Sequence, residues 1–104
     1  MRAFHATSFK NVGSIKEKGI ESRFDGVYLT DSEESALRWM GFRYKAMGED
    51  LIAVIEVEVN DDELVDGVDH SPMMEKLFGV GRSLVSPKTI TPDNIINFNV
   101  FQIQ

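Results

Sequence analysis

Nine residues, Leu51 to Val59, read LIAVIEVEV, and such a run of branched and apolar side chains favours an extended strand. Side chains alternate across a strand, so Leu51, Ala53, Ile55, Val57 and Val59 share one face while Ile52, Val54, Glu56 and Glu58 share the other. The first half is therefore apolar on both faces and the second half is wet on one. A strand of this kind belongs inside a sheet, and it is expected at the centre. Glu56 and Glu58 stand two apart on one face, a spacing that acid/base or metal chemistry can use. A solvated strand face gives the same pattern, and that is the reading taken here.

The stretch Phe4 to Ile20, FHATSFKNVGSIKEKGI, packs a strand end and a whole helix into a few turns of chain. Arg2-Ala3-Phe4-His5 reads as the end of a short strand, and Thr7 and Ser8 are good N-cap residues for a helix that follows at once. Phe9, Val12 and Ile15 recur at helical spacing, Lys16 and Lys18 suit the negative end of the helix, and Gly19 supplies the residue that closes it. Ile20 packs back. A histidine at a strand terminus, with two hydroxyls after it at a helix mouth, is a place where a polar ligand group can be held. The same residues also serve as a hydrogen-bonded structural histidine and ordinary caps.

Glu21 to Gly26 is a polar connector that carries Arg23 and Phe24 and ends in the turn signal Asp25-Gly26. Val27-Tyr28-Leu29 is a short strand. Thr30-Asp31-Ser32-Glu33-Glu34 then starts a second helix, with a capping box available to Thr30 and Glu33 or to Asp31 and Glu34. Ala36, Leu37, Trp39, Met40 and Tyr44 give an apolar stripe to about Met47, with Trp39 expected in the core. Arg38, Arg43 and Lys45 lie on the polar face, and Arg43 falls where it can turn toward a cleft. After the long strand, Asn60 to Asp69 is an acidic loop with room for one helical turn. Its acids lack calcium-loop spacing. His70-Ser71-Pro72 introduces a short helix from Met73 to Phe78, broken by Gly79-Val80-Gly81. Strands over Arg82–Ser86 and Ile95–Ile103 follow, separated by a Thr91-Pro92-Asp93-Asn94 turn.

Composition narrows the function classes. A chain of 104 residues with 42% hydrophobic content supports one folded domain rather than two. Its formal charge of −6 argues against general binding to a nucleic-acid backbone, which depends on clustered Lys and Arg. There is no cysteine, so disulfides and thiolate metal sites are excluded, and two histidines with no motif joining them leave no metal site expected. No apolar run approaches a membrane span and no signal core opens the chain. A soluble cytoplasmic protein without membrane contact is the expectation.

His5-Ala6-Thr7-Ser8 at a strand end, the helix ending Ile15-Lys16-Glu17-Lys18-Gly19-Ile20, and the strand Gly26-Val27-Tyr28-Leu29-Thr30 together resemble the opening of the ADP-ribosyltransferase-like fold. The likeness is to its RNA 2′-phosphotransferase and DNA-modifying branches. The phrase SLVSPKTITPDNIINFNVFQI is similar to the C-terminal portion of that fold, so the resemblance spans nearly the whole chain. It implies an α+β domain built on a small, twisted, split sheet with two main helices. It also implies a cleft for NAD, used as a substrate rather than held as a tight cofactor, lined by His5, Ala6, Thr7, Arg23, Tyr28, Thr30 and Arg43.

On that resemblance His5 holds the adenosine-side ribose, Thr7 a nearby hydroxyl or amide, and Tyr28 the face of the nicotinamide. Many members place a glutamate just before the Leu84-Val85 strand, whereas this chain has Arg82-Ser83. A cationic clamp that includes Arg82, with Arg2, Arg23 or Arg43, would then steady a phosphate or the transition-state charge, as in the phosphotransferase-type relatives. The implied catalytic residues are His5, Tyr28 and Arg82, and the implied reaction is transfer of ADP-ribose to a macromolecular acceptor. A second reading also stands: an inactive phage or mobile-element protein that keeps the fold and blocks a host protein. The surface would be the acids from Asp61 to Asp69 together with Met73 and Met74.

Overall fold

The structure is a computed structural model that describes residues 1–22, 26–66 and 83–103. The first strand, β1, runs Arg2–Ser8 and leads through a 3-10 turn, Phe9–Asn11, into helix α1, Val12–Lys18. Strand β2, Val27–Thr30, feeds helix α2, Glu33–Ala46. Then come β3, Leu51–Glu58, a 3-10 turn at Asp61–Glu63, β4, Val65–Asp66, β5, Ser83–Ser86, a 3-10 turn at Pro92–Asn94 and β6, Ile95–Gln102. All strands pair antiparallel in one sheet of order β4-β5-β2-β1-β3-β6. Among the described residues no helix is long and apolar enough to cross a membrane.

Each face of the sheet carries its own core. On one, Ala3, Val27, Leu29, Ile55, Val57 and Leu84 meet Ile15 of α1 and the paired Ile20 and Ile90. On the other, Ala6, Ile52 and Val54 meet Ala36 of α2, with Phe4, Leu37, Met40, Tyr44 and Phe101 packed around them. The two-faced apolar half of β3 has this cause: Ile52 and Val54 serve one core, Ile55 and Val57 the other. Glu56 and the exposed Glu58 close the strand, and Arg2 Nη1 lies 3.6 Å from Glu56 Oε1. Glu58 is solvated as expected, whereas the Glu56 side chain is 18% exposed and faces Arg2.

Several local expectations change in three dimensions. The first strand does not stop at His5, because its ladder with β3 runs unbroken from Arg2↔Glu58 to Ser8↔Ile52. Thr7 and Ser8 are strand residues, and the cap position of α1 is Asn11, which makes no side-chain capping bond. At the second helix the cap is Ser32, whose Oγ accepts from Ser35 N at 3.1 Å, since pairing with β5 keeps Thr30 in the strand. The central strands are β1 and β2, while β3 lies one in from the edge strand β6. Trp39 is half-buried and belongs to neither core. The expected turn at Asp25, the Met73–Phe78 helix and its glycine break lie outside the described residues, whereas Gly19 ends α1 as expected, at φ 81°.

Candidate functional site

The two middle strands meet sparingly. β1 and β2 share the register pair Phe4↔Thr30, whereas β1 and β3 pair along all of β1. Beyond Phe4 a side chain ties the two strands: His5 Nδ1 lies 2.8 Å from the Tyr28 carbonyl oxygen. The sheet is thus two antiparallel halves, β4-β5-β2 and β1-β3-β6, joined along a short seam with an imidazole across it. A carbonyl oxygen only accepts, so Nδ1 carries the hydrogen and donates.

Burial pushes the His5 pKa below its ordinary value and outweighs the opposing pull of the Tyr28 carbonyl. The residue is half-buried, and the packed chain around it removes enough water to disfavour the charged form. His5 is therefore neutral at pH 7, with a lone pair on Nε2. No protein donor among the described residues occupies that nitrogen. The seam thus presents one hydrogen-bond acceptor fixed in tautomer and orientation.

Alternation divides the other expected site residues between the faces. Ala3, His5 and Thr7 share the α1 face, as do Val27 and Leu29; Phe4, Ala6 and Ser8 share the α2 face with Tyr28 and Thr30. The Tyr28 ring is 46% exposed and is available as a flat surface. Thr7 is buried, and its Oγ1 accepts from Asn11 Nδ2 at 2.9 Å. Thr30 is buried too, and its Oγ1 donates to the Ser32 carbonyl at 2.6 Å. Both hydroxyls are thus used inside the protein, where they fix the strand ends that carry His5 and Tyr28. Ala6 packs beneath α2, and Arg43 is exposed on that helix. Arg23 and Arg82 lie outside the described residues.

Sequence reading alone missed Asn11. Its amide, four residues after Thr7, holds the Thr7 hydroxyl, and the i, i+4 spacing across a helix entry is the signal that would have found it. It also missed a polar cavity of about 270 Å³ between the ends of β3 and β5, with Glu58, Asn60, Glu63, Ser86, Lys88 and Asn94 in its walls. None of the expected site residues among those described lines it. Its Lys88 and Glu63 bind each other at 3.0 Å, and its chemistry does not single out a ligand. Among the described residues no three His, Asp or Glu side chains cluster as metal ligands would.

No protein-family model matches the chain, and no curated protein matches it either.

Proposed function

We propose that the chain binds NAD, or a related ADP-ribose or phosphorylated nucleotide, where β1 and β2 part. The observation that carries this reading is the His5 bridge to the Tyr28 carbonyl, which leaves Nε2 as an oriented acceptor on the α1 face of the seam, with the exposed Tyr28 ring on the α2 face of the same seam. A ribose hydroxyl donates to Nε2, and the nicotinamide stacks on Tyr28, with aromatic stacking favoured in an offset arrangement. Thr7 and Thr30 act indirectly, by holding the two strands in place. Arg43, Arg23 and Arg82 are the cations from which a phosphate contact is drawn.

The reaction that goes with this site is transfer of ADP-ribose to a macromolecular acceptor with release of nicotinamide. Tyr28 positions the leaving ring, and His5 holds the adenosine-side ribose. Arg82, in place of an acid, would face the phosphate or the developing charge. The test is incubation of the purified protein with NAD while free nicotinamide is measured. Release that disappears in His5→Ala and in Tyr28→Ala supports a working transferase or hydrolase. Saturable binding without release keeps the nucleotide site and removes the reaction. Absence of both overturns the reading and favours the protein-blocking one, for which the exposed acids Asp61 and Asp62 beside exposed Val65 offer a surface.

A further inference from the structure

An open strand edge invites another strand, and proteins guard such edges with lysine, proline, bulges or short length. Among the described residues the edge strand β4 spans two residues. β6 is eight residues long and reads IINFNVFQ, with no charge, proline or glycine. It carries one bulge, where Asn97 opposes Glu56 and Ile95 opposes Val57 so that Ile96 is extra. From Asn97 to Gln102 the strand is regular. Ile96 and Val100 are 46% and 47% exposed.

The direction of its free backbone groups is readable. Ile103 N–H donates to the Asp50 carbonyl at 2.8 Å, so position 103 bonds inward toward β3. In an antiparallel ladder the bonding direction alternates, which sets Phe101, Asn99 and Asn97 inward and Gln102, Val100 and Phe98 outward. The Phe98 N–H agrees: it donates at 2.9 Å to the side-chain oxygen of Asn97 rather than to β3. That local bond occupies an edge donor until a better acceptor arrives.

We propose that the outer edge of β6 is the pairing surface for a second copy of this chain, joined antiparallel about a two-fold axis at Phe98. That register lets the two Phe98 residues exchange both backbone bonds and sets Ile96 against Val100 and Asn97 against Asn99, each twice. The argument for a second copy is charge. At a net charge of −6 two copies repel, yet the strand itself is neutral. Its ends carry charges that can meet: exposed Asp93 precedes it, and at its far end Lys45 Nζ lies 3.5 Å from the Ile103 carbonyl, with exposed Asp50 beside it. An antiparallel copy brings Asp93 of one chain to Ile103 and Lys45 of the other, at both ends. Because a two-fold pairing uses the β6 edge of both copies, the assembly closes at two chains instead of growing.

Sedimentation equilibrium over a concentration series tests this. The parent is expected to reach twice the chain mass, and Val100→Lys, at an exposed position, to remain at single-chain mass with an unchanged circular dichroism spectrum. Lys45→Glu is expected to weaken pairing at least several-fold, and adding Asp93→Lys to restore it. A parent of single-chain mass throughout, or a Val100→Lys variant that still doubles, overturns the proposal. Failure of the charge exchange to restore pairing overturns its register.

Discussion

Burial and a carbonyl pull the His5 imidazole in opposite directions, and burial prevails, so its pKa in the folded chain lies below the ordinary 6.5. Below pH 6.5 the unfolded chain then binds more protons than the folded one. The contribution of His5 to stability is complete above 6.5 and is lost as pH falls through the folded value. Thermal unfolding followed from about pH 7.5 to about pH 5.5 should show the parent melting earlier on acidification. His5→Gln, which can still donate to the Tyr28 carbonyl but does not titrate, should flatten that part of the slope; an equally steep variant would mean another group is responsible. Gly19 is a second position where one residue type is required. Its φ of 81° suits glycine, and a Cβ there would run into the Ile90 carbonyl that accepts from Ile20 N–H. Gly19→Ala should cost at least about 1 kcal/mol, because the strain and the clash add, as read from urea unfolding. The glycine was legible in the sequence from the lysines before it. The histidine's bridge was not, since Tyr28 is 23 residues away and contributes only a carbonyl that every residue has.

Elements with strong internal periodicity were legible, and their boundaries were decided by neighbours. The pattern from Ala36 to Tyr44 and the alternation of LIAVIEVEV placed α2 and β3 correctly to within a residue or so. The starts of both helices moved for the same reason: a strand ladder is worth more than a side-chain cap. β1 keeps Thr7 and Ser8 through its pairing with β3, and β2 keeps Thr30 through Thr30↔Ser83. Ser32, rather than Thr30 or Asp31, then caps α2. Ser32→Ala should destabilise the protein by about 1 kcal/mol and Ser32→Asp by much less, measured by thermal melts of the two variants. A neutral Ser32→Ala would show that the cap is dispensable. In the interior, Ile55 is fully buried beneath α1 and its neighbours. Ile55→Ala should cost roughly 2–5 kcal/mol in denaturant unfolding, which distinguishes a packed core position from a seam that tolerates change.

Across the whole molecule, one sheet separates two apolar cores, and its least tightly tied line runs between its two middle strands. Strands and two main helices followed from the periodicity of the segments, whereas the split of the sheet was an expectation of the resemblance alone. The order β4-β5-β2-β1-β3-β6 followed from neither, because strand order depends on pairings between distant residues that leave no local mark. The same limit applied to the site. His5, Thr7, Tyr28 and Thr30 stood out by residue type, yet alternation sends them to opposite faces, and hydrogen bonds withdraw the two threonine hydroxyls. What remains is one acceptor nitrogen and one exposed ring at the seam, and the proposed nucleotide site stands on that pair. Its most direct test is an NMR titration with NAD of the parent and of the His5→Ala, Tyr28→Ala double variant, the latter first shown to unfold cooperatively. Saturable shifts at His5, Tyr28 and Leu29 in the parent, absent from the double variant, are the predicted result. Equal NAD affinity in both proteins, or no shifts in the parent at the highest NAD concentration reached, would contradict it.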